Sequence, residues 1–128
     1  MSLELTMLVW SIALTFVQMV IAAAATTFQP GLPGKTGNRE DADEVTGWAG
    51  RARRAHLDMV ANMVLFAPLI VIADIAGRDN RMTEIGAQLF FWTRLAYAIV
   101  YIAGVPRLRT AVWSASAVAM VLVFLQLL

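Results

Sequence analysis

The chain has 128 residues, 59% of them hydrophobic and only 15% charged, with a formal net charge of +1. A soluble domain of this size is nearer half apolar and has too little interior to hide the excess, so the surplus must face lipid, a partner, or both. Near-neutral charge leaves no basic footprint for nucleic acid, the lack of cysteine excludes disulfides and thiolate catalysis by the protein, and one histidine argues against a histidine metal site.

Leu5 to Ala25 carries no charge and, at about 21 residues, is long enough to cross a ~30 Å hydrocarbon core as a helix. No Lys or Arg precedes it, and it is longer than a signal core, so a transmembrane helix is expected rather than a cleaved leader. Glu4 stands at its start. Gln18 and the alanines from Ala22 to Ala25 point to close helix packing on one side, because small residues let membrane helices approach. Thr26 to Gly50 is the only long polar piece, with Pro30, Pro33, Gly31, Gly34, Gly37 and the acids Glu40, Asp41, Asp43 and Glu44. It is expected outside the membrane, either as a solvated connector or as a functional loop.

The second helix is expected from about Trp48 to Gly77, basic in its first turns and apolar afterwards, with a mild kink at Pro68. Asp74 is placed to pair with Arg78 one turn on. The third apolar run, Ile85 to Gly104, is interrupted by Arg94. A basic turn with Pro106, Arg107 and Arg109 leads to the fourth run, ending at Leu128. The expected fold is all-α: one integral membrane four-helix bundle over 1–128, with helices at about 5–25, 48–77, 85–104 and 108–128. The four tryptophans are read as packing residues rather than site residues.

Charge asymmetry orients the spans. Lys35, Arg39, Arg51, Arg53, Arg54, Arg107 and Arg109 belong to the first and third loops and the start of the second helix, against Arg78 and Arg81 on the other side. The positive-inside rule then makes loops one and three cytoplasmic, with both termini on the non-cytoplasmic side.

Arg94 is the sharpest signal. An arginine at bilayer depth costs at least ~2.5–3.5 kcal/mol and persists only if paired or facing a wet cavity. Arg94, Tyr97 and Tyr101 recur at i, i+3, i+7 and share one helix face. Arg51, Arg54, Asp58 and Asn62 form a second stripe on helix two. Facing each other, the stripes would line a cleft, cationic at its mouth, suited to a ligand with carboxylates or phosphates. Two roles are open to Arg94: facing that ligand, or a structural pairing with Asp58 or a backbone carbonyl. Arg53 lies off the stripe and reads as a headgroup anchor. His56, also off it, reads as a headgroup or loop contact rather than a catalytic group.

Arg51-x-x-Arg54-Ala55-x-x-Asp58-x-x-Ala61 resembles the Arg-x-x-Arg-Ala-x-x-Asn-x-x-Glu signature of the MAPEG family, the membrane-associated proteins of eicosanoid and glutathione metabolism. Arg94-x-x-Tyr97-x-x-x-Tyr101, followed by Pro106, Arg107 and Arg109, resembles the same family's third helix and third turn. The resemblance implies a small bacterial-type member: a multi-pass protein of the inner membrane, assembled as a homotrimer, with glutathione as cosubstrate and no metal. It implies transferase or peroxidase chemistry on lipophilic electrophiles. Arg51, Arg54, Arg94, Tyr97 and Tyr101 would line the glutathione cleft, with Asp58 and Asn62 on the same stripe. Arg109 would be the catalytic arginine that favours the glutathione thiolate. The chain departs from the signature at Asp58, where the family has asparagine, and at Ala61, where it has glutamate. Those departures raise a second expectation, a membrane scaffold or binding protein without glutathione chemistry. A third, a small proton-coupled transporter, would have to rest on Asp58, because Glu4 lies too near the end of its span.

Overall fold

The computed structural model describes residues 2–28, 47–104 and 106–128, so the connector with Lys35, Arg39 and the acidic run lies outside the described residues. Four helices follow one another: α1 (Leu3–Phe28), α2 (Gly47–Ile75), α3 (Arg81–Ala103) and α4 (Pro106–Leu127). Each is long and apolar enough to cross a membrane. The expected spans are all present, and their ends are set by local chemistry that the hydropathy pattern does not carry.

Ser2 starts α1 early, its hydroxyl accepting from the Leu5 amide at 3.2 Å. Gly77, at φ +66°, stops α2. Its amide donates to the Asp74 carbonyl at 3.3 Å, and the Arg78 amide donates to the Ala73 carbonyl at 2.9 Å. This turn carries Arg78 off the helix surface, and the expected Asp74–Arg78 ion pair does not form among the described residues. Asn80 then starts α3 a full turn ahead of its apolar run. Its side-chain oxygen accepts from the Thr83 amide at 3.0 Å, and the Thr83 hydroxyl accepts from the Asn80 amide at 2.8 Å. Gly104, at φ +82°, closes α3. Pro106 opens α4, where a missing amide costs nothing. α2 continues unbroken through Pro68.

The core is a slab of apolar side chains: Leu8, Met59, Phe66, Ile70, Ala87, Phe90, Ala119 and Val123. Phe66 and Phe90 stack across α2 and α3 with centroids 3.8 Å apart. The expectation of close packing by α1 holds, since Gln18, Ala22 and Ala25 are all buried. The tryptophans do not pack inside: Trp10, Trp48, Trp92 and Trp113 are all exposed on the outer surface of the bundle. In lipid that surface is a favourable place for a large apolar ring, so hydrophobicity does not drive it inward as it would in water.

One end of the bundle is closed by polar contacts. Glu4, 2% exposed, accepts from the Thr83 hydroxyl at 3.2 Å, and the Asn80 amide side chain donates to Gln126 at 2.9 Å. These contacts bring the start of α1, the start of α3 and the end of α4 together, so both termini lie at the same end. Glu4 lies in the first turn of α1, at the end of its span as expected, and is nonetheless buried there.

α3 and α4 pack closely at Gly86. A Cβ there would lie 2.7 Å from Val123 Cγ2 and 3.1 Å from the Ala119 carbonyl oxygen. Gly86→Val is therefore expected to destabilise the bundle by about 1–3 kcal/mol through overpacking. Thermal unfolding in detergent should show the loss, and adding Val123→Ala should recover part of it.

Candidate functional site

The site residues gather at the opposite end, where α2 begins and α3 meets α4. Arg94 is just past the middle of α3, and its side chain is fully buried. Its Nη2 donates to Asp58 Oδ2 at 2.7 Å, and its Nη1 to the Ser116 hydroxyl at 3.5 Å. Ser116, itself fully buried, donates to the Trp113 carbonyl at 2.8 Å. The guanidinium carbon also lies 4.2 Å from the centre of the Tyr97 ring. Of the two roles open to Arg94 in the sequence, the geometry shows the ion pair. The guanidinium thus meets an acid, a hydroxyl and an aromatic face, which is how a charge is tolerated at this depth. Its Nε is buried without a partner.

From Arg94 a column runs toward the arginine-bearing end. Tyr97 and Tyr101 lie with ring centres 5.4 Å apart, and the Arg109 guanidinium lies 4.7 Å from the Tyr101 ring. Cation, ring, ring, cation alternate along α3 and onto α4. Tyr97 is buried, while Tyr101 and Arg109 are half-buried. The column therefore opens to the surroundings at its Arg109 end.

The stripe on α2 divides. At about 100° per residue its four positions spread over about 80°, with Arg54 and Asn62 at the two edges. Arg54 falls outside the contact with α3 and is exposed. Asn62, 8% exposed, falls inside, and its amide donates to the Asp58 carbonyl at 2.8 Å and toward Asp58 Oδ2 at 3.4 Å. Arg51 is half-buried, and its Nε donates to the Ile102 carbonyl at 3.0 Å. It thereby caps the end of α3, where unpaired carbonyls concentrate negative charge. Gly104 lies against it, a Cβ there being in ordinary contact at 3.4 Å from Arg51 Nε. Ala61 faces outward and is exposed, as is Arg107.

Arg94, Tyr97, Asp58 and Asn62 are thus brought together, Tyr101 and Arg109 continue them, and Arg51 and Arg54 stand apart. Ser116 belongs to the cluster although the sequence marks it only as a polar residue in an apolar span. Ser11 and Gln18 are also buried polar residues, with Ser11 Oγ and Gln18 Oε1 unpartnered. With Glu4 they recur every seven residues on α1, and that interval was the signal available for finding them. No group of acids and histidines capable of holding a metal occurs among the described residues.

Removing Asp58 would leave a buried guanidinium uncompensated. Asp58→Leu is expected to cost about 3–5 kcal/mol. The double variant Asp58→Leu/Arg94→Met should recover most of that loss, as read by thermal unfolding of the four proteins of the mutant cycle in detergent.

Three comparisons with known proteins stand beside this geometry. No curated protein and no solved structure matches the chain. The model of the MAPEG family matches residues 5–128, from the first turns of α1 to the end of α4. This multi-pass integral membrane protein belongs to the MAPEG family.

Proposed function

We propose that the protein binds glutathione at the arginine-bearing end of α2, α3 and α4 and directs its thiol at lipophilic electrophiles, as a transferase or peroxidase. The observation that carries this reading is the column ending in Arg109. Arg109 is held over Tyr101, half-exposed, with no ion pair among the described residues. A fixed cation beside a thiol lowers the thiol pKa and raises the thiolate fraction.

The donor set fits an anionic tripeptide in part. Arg54, Arg107 and Arg109 are uncommitted cations among the described residues, and arginine suits carboxylates. Arg94 and Arg51 are already engaged, by Asp58 and by the Ile102 carbonyl. Glutathione supplies the nucleophilic sulfur of this chemistry. Arg109 would hold the sulfur as thiolate, Arg54 and Arg107 would hold carboxylates, and the apolar outer surfaces of the helices would deliver the electrophile from lipid. We propose further that the protein works as a homotrimer, with the arginine-bearing end on the cytoplasmic side as the distribution of basic residues favours.

The Arg94–Asp58 pair supports a second reading, a scaffold or binding protein without glutathione chemistry. It removes one arginine from ligand reach and sets a carboxylate, 31% exposed, beside the column. Equilibrium binding of glutathione to the detergent-purified protein separates the two. The enzyme reading expects millimolar or tighter binding that Arg109→Ala weakens about tenfold, the equivalent of roughly 1.4 kcal/mol. It also expects an ultraviolet thiolate signal that the same substitution removes. Absence of binding at millimolar glutathione favours the scaffold, as does binding that appears only in Asp58→Asn/Ala61→Glu.

A further inference from the structure

Arg109 lies in the first turns of α4, where Arg107, Leu108, Thr110 and Ala111 are all exposed. Little side-chain packing therefore fixes this part of the helix. The apolar core and the bond from Arg94 to Ser116 hold α4 farther along. The link back to α3 begins with Gly104, in the left-handed region and with the freest backbone of any residue type. Something else must set where the Arg109 end of α4 points.

The carbonyls at the end of α3 show what does. The last four belong to Val100, Tyr101, Ile102 and Ala103. The Gly104 amide donates to the Val100 and Tyr101 carbonyls, both at 3.0 Å. The Ile102 carbonyl accepts instead from Arg51 Nε, also at 3.0 Å. Arg51 belongs to the first turns of α2, so this bond ties a third helix to the turn. Its side chain also packs on the turn: a Cβ on Gly104 would be 3.4 Å from Arg51 Nε, 3.5 Å from Cζ and 3.8 Å from Cδ. Ile102 is the neighbour of Tyr101, and Arg109 follows the turn. The bond thus braces both sides of the contact in which the Arg109 guanidinium lies 4.7 Å from the Tyr101 ring.

We propose that Arg51 is a positioning residue: its bond to the Ile102 carbonyl holds the turn between α3 and α4 so that Arg109 stays over Tyr101. What it does to Arg109 is independent of any ligand, whereas what it does to glutathione rests on the function proposed above. The hydrogen bond carries the role, and the charge does not. In glutamine, Nε2 is as many bonds from Cα as Nε is in arginine. Arg51→Gln therefore keeps the N–H donor in place and discards the charge, whereas Arg51→Met keeps the length and loses the donor.

The test uses the full chain in lipid nanodiscs with ¹⁵N-labelled arginine, Arg109 being assigned from its loss in Arg109→Lys. A guanidinium over a ring feels the ring current, so the Arg109 Nε–H proton is expected upfield in the unsubstituted chain. The shift should persist in Arg51→Gln and collapse in Arg51→Met. Glutathione binding should stay within about twofold in Arg51→Gln and weaken about tenfold in Arg51→Met, as in Arg109→Ala. Arg51→Met/Arg109→Ala should be no weaker than Arg109→Ala, because a residue that acts through another adds nothing once that one is gone. If Arg51→Met loses its helical circular dichroism, Arg51→Lys replaces it, with the charge kept and the donor one bond farther out. The bond then expects the ring shift and the binding to be better kept in Arg51→Gln than in Arg51→Lys. The reverse order overturns the proposal, and so does an unchanged ring shift in folded Arg51→Met. Binding lost equally in Arg51→Gln and Arg51→Met also overturns it, since Arg51 would then be a cation for the ligand. An unsubstituted chain that binds no glutathione removes the proposed function instead, and the ring shift alone decides the role of Arg51.

Discussion

A guanidinium inside a membrane must be answered by something close, and Arg94 organises the arginine-bearing half of the bundle on that account. Asp58 supplies the charge from α2, Ser116 a hydroxyl from α4, and Tyr97 a ring from one turn along α3 itself. Three helices are thus brought to one point. The stacked Phe66 and Phe90 sit deeper in the same contact of α2 with α3, so apolar packing and the ion pair locate the two helices together. The pair is specific rather than generous: apolar residues of similar volume could fill the space, but they would not fix which face of α2 meets α3.

The asparagine-to-aspartate departure gains a physical meaning from this contact. A neutral amide at that position could share a hydrogen bond with Arg94 and leave its charge available. A carboxylate 2.7 Å away neutralises it. Among the described residues the column's cation without an acid partner is therefore Arg109, half-buried and held over the face of Tyr101. Any anion that docks here meets that guanidinium before it meets the buried one.

Most of the fold could be read from hydropathy, because four apolar runs of spanning length leave few alternatives in lipid. The helix ends could not, since they depend on side-chain-to-backbone bonds at Ser2, Asn80 and Thr83 and on left-handed glycines at Gly77 and Gly104. The site was legible by spacing on α3, where Arg94, Tyr97 and Tyr101 do share a face. It was less legible on α2, because a stripe about 80° wide is broader than the contact it makes, and Arg54 falls off the edge. The partner of Arg51 is a backbone carbonyl, which no side-chain pattern announces. The burial of Glu4 was hidden for a related reason: its partner lies on a helix parallel to its own and distant in sequence.

That distance has a consequence for how the protein is made. Glu4 and Thr83 are 79 residues apart, and Asp58 and Arg94 are 36 apart. At ~5–20 residues per second, the first acid is synthesised about 4–16 s before its hydroxyl partner, and the second about 2–7 s before its guanidinium. In both cases the acid comes first. α1 and α2 are therefore made carrying carboxylates whose partners both lie on α3; Glu4 is buried in the finished bundle, whereas Asp58 stays 31% exposed beside Arg94. Both carboxylates thus meet their partners only once α3 is in place.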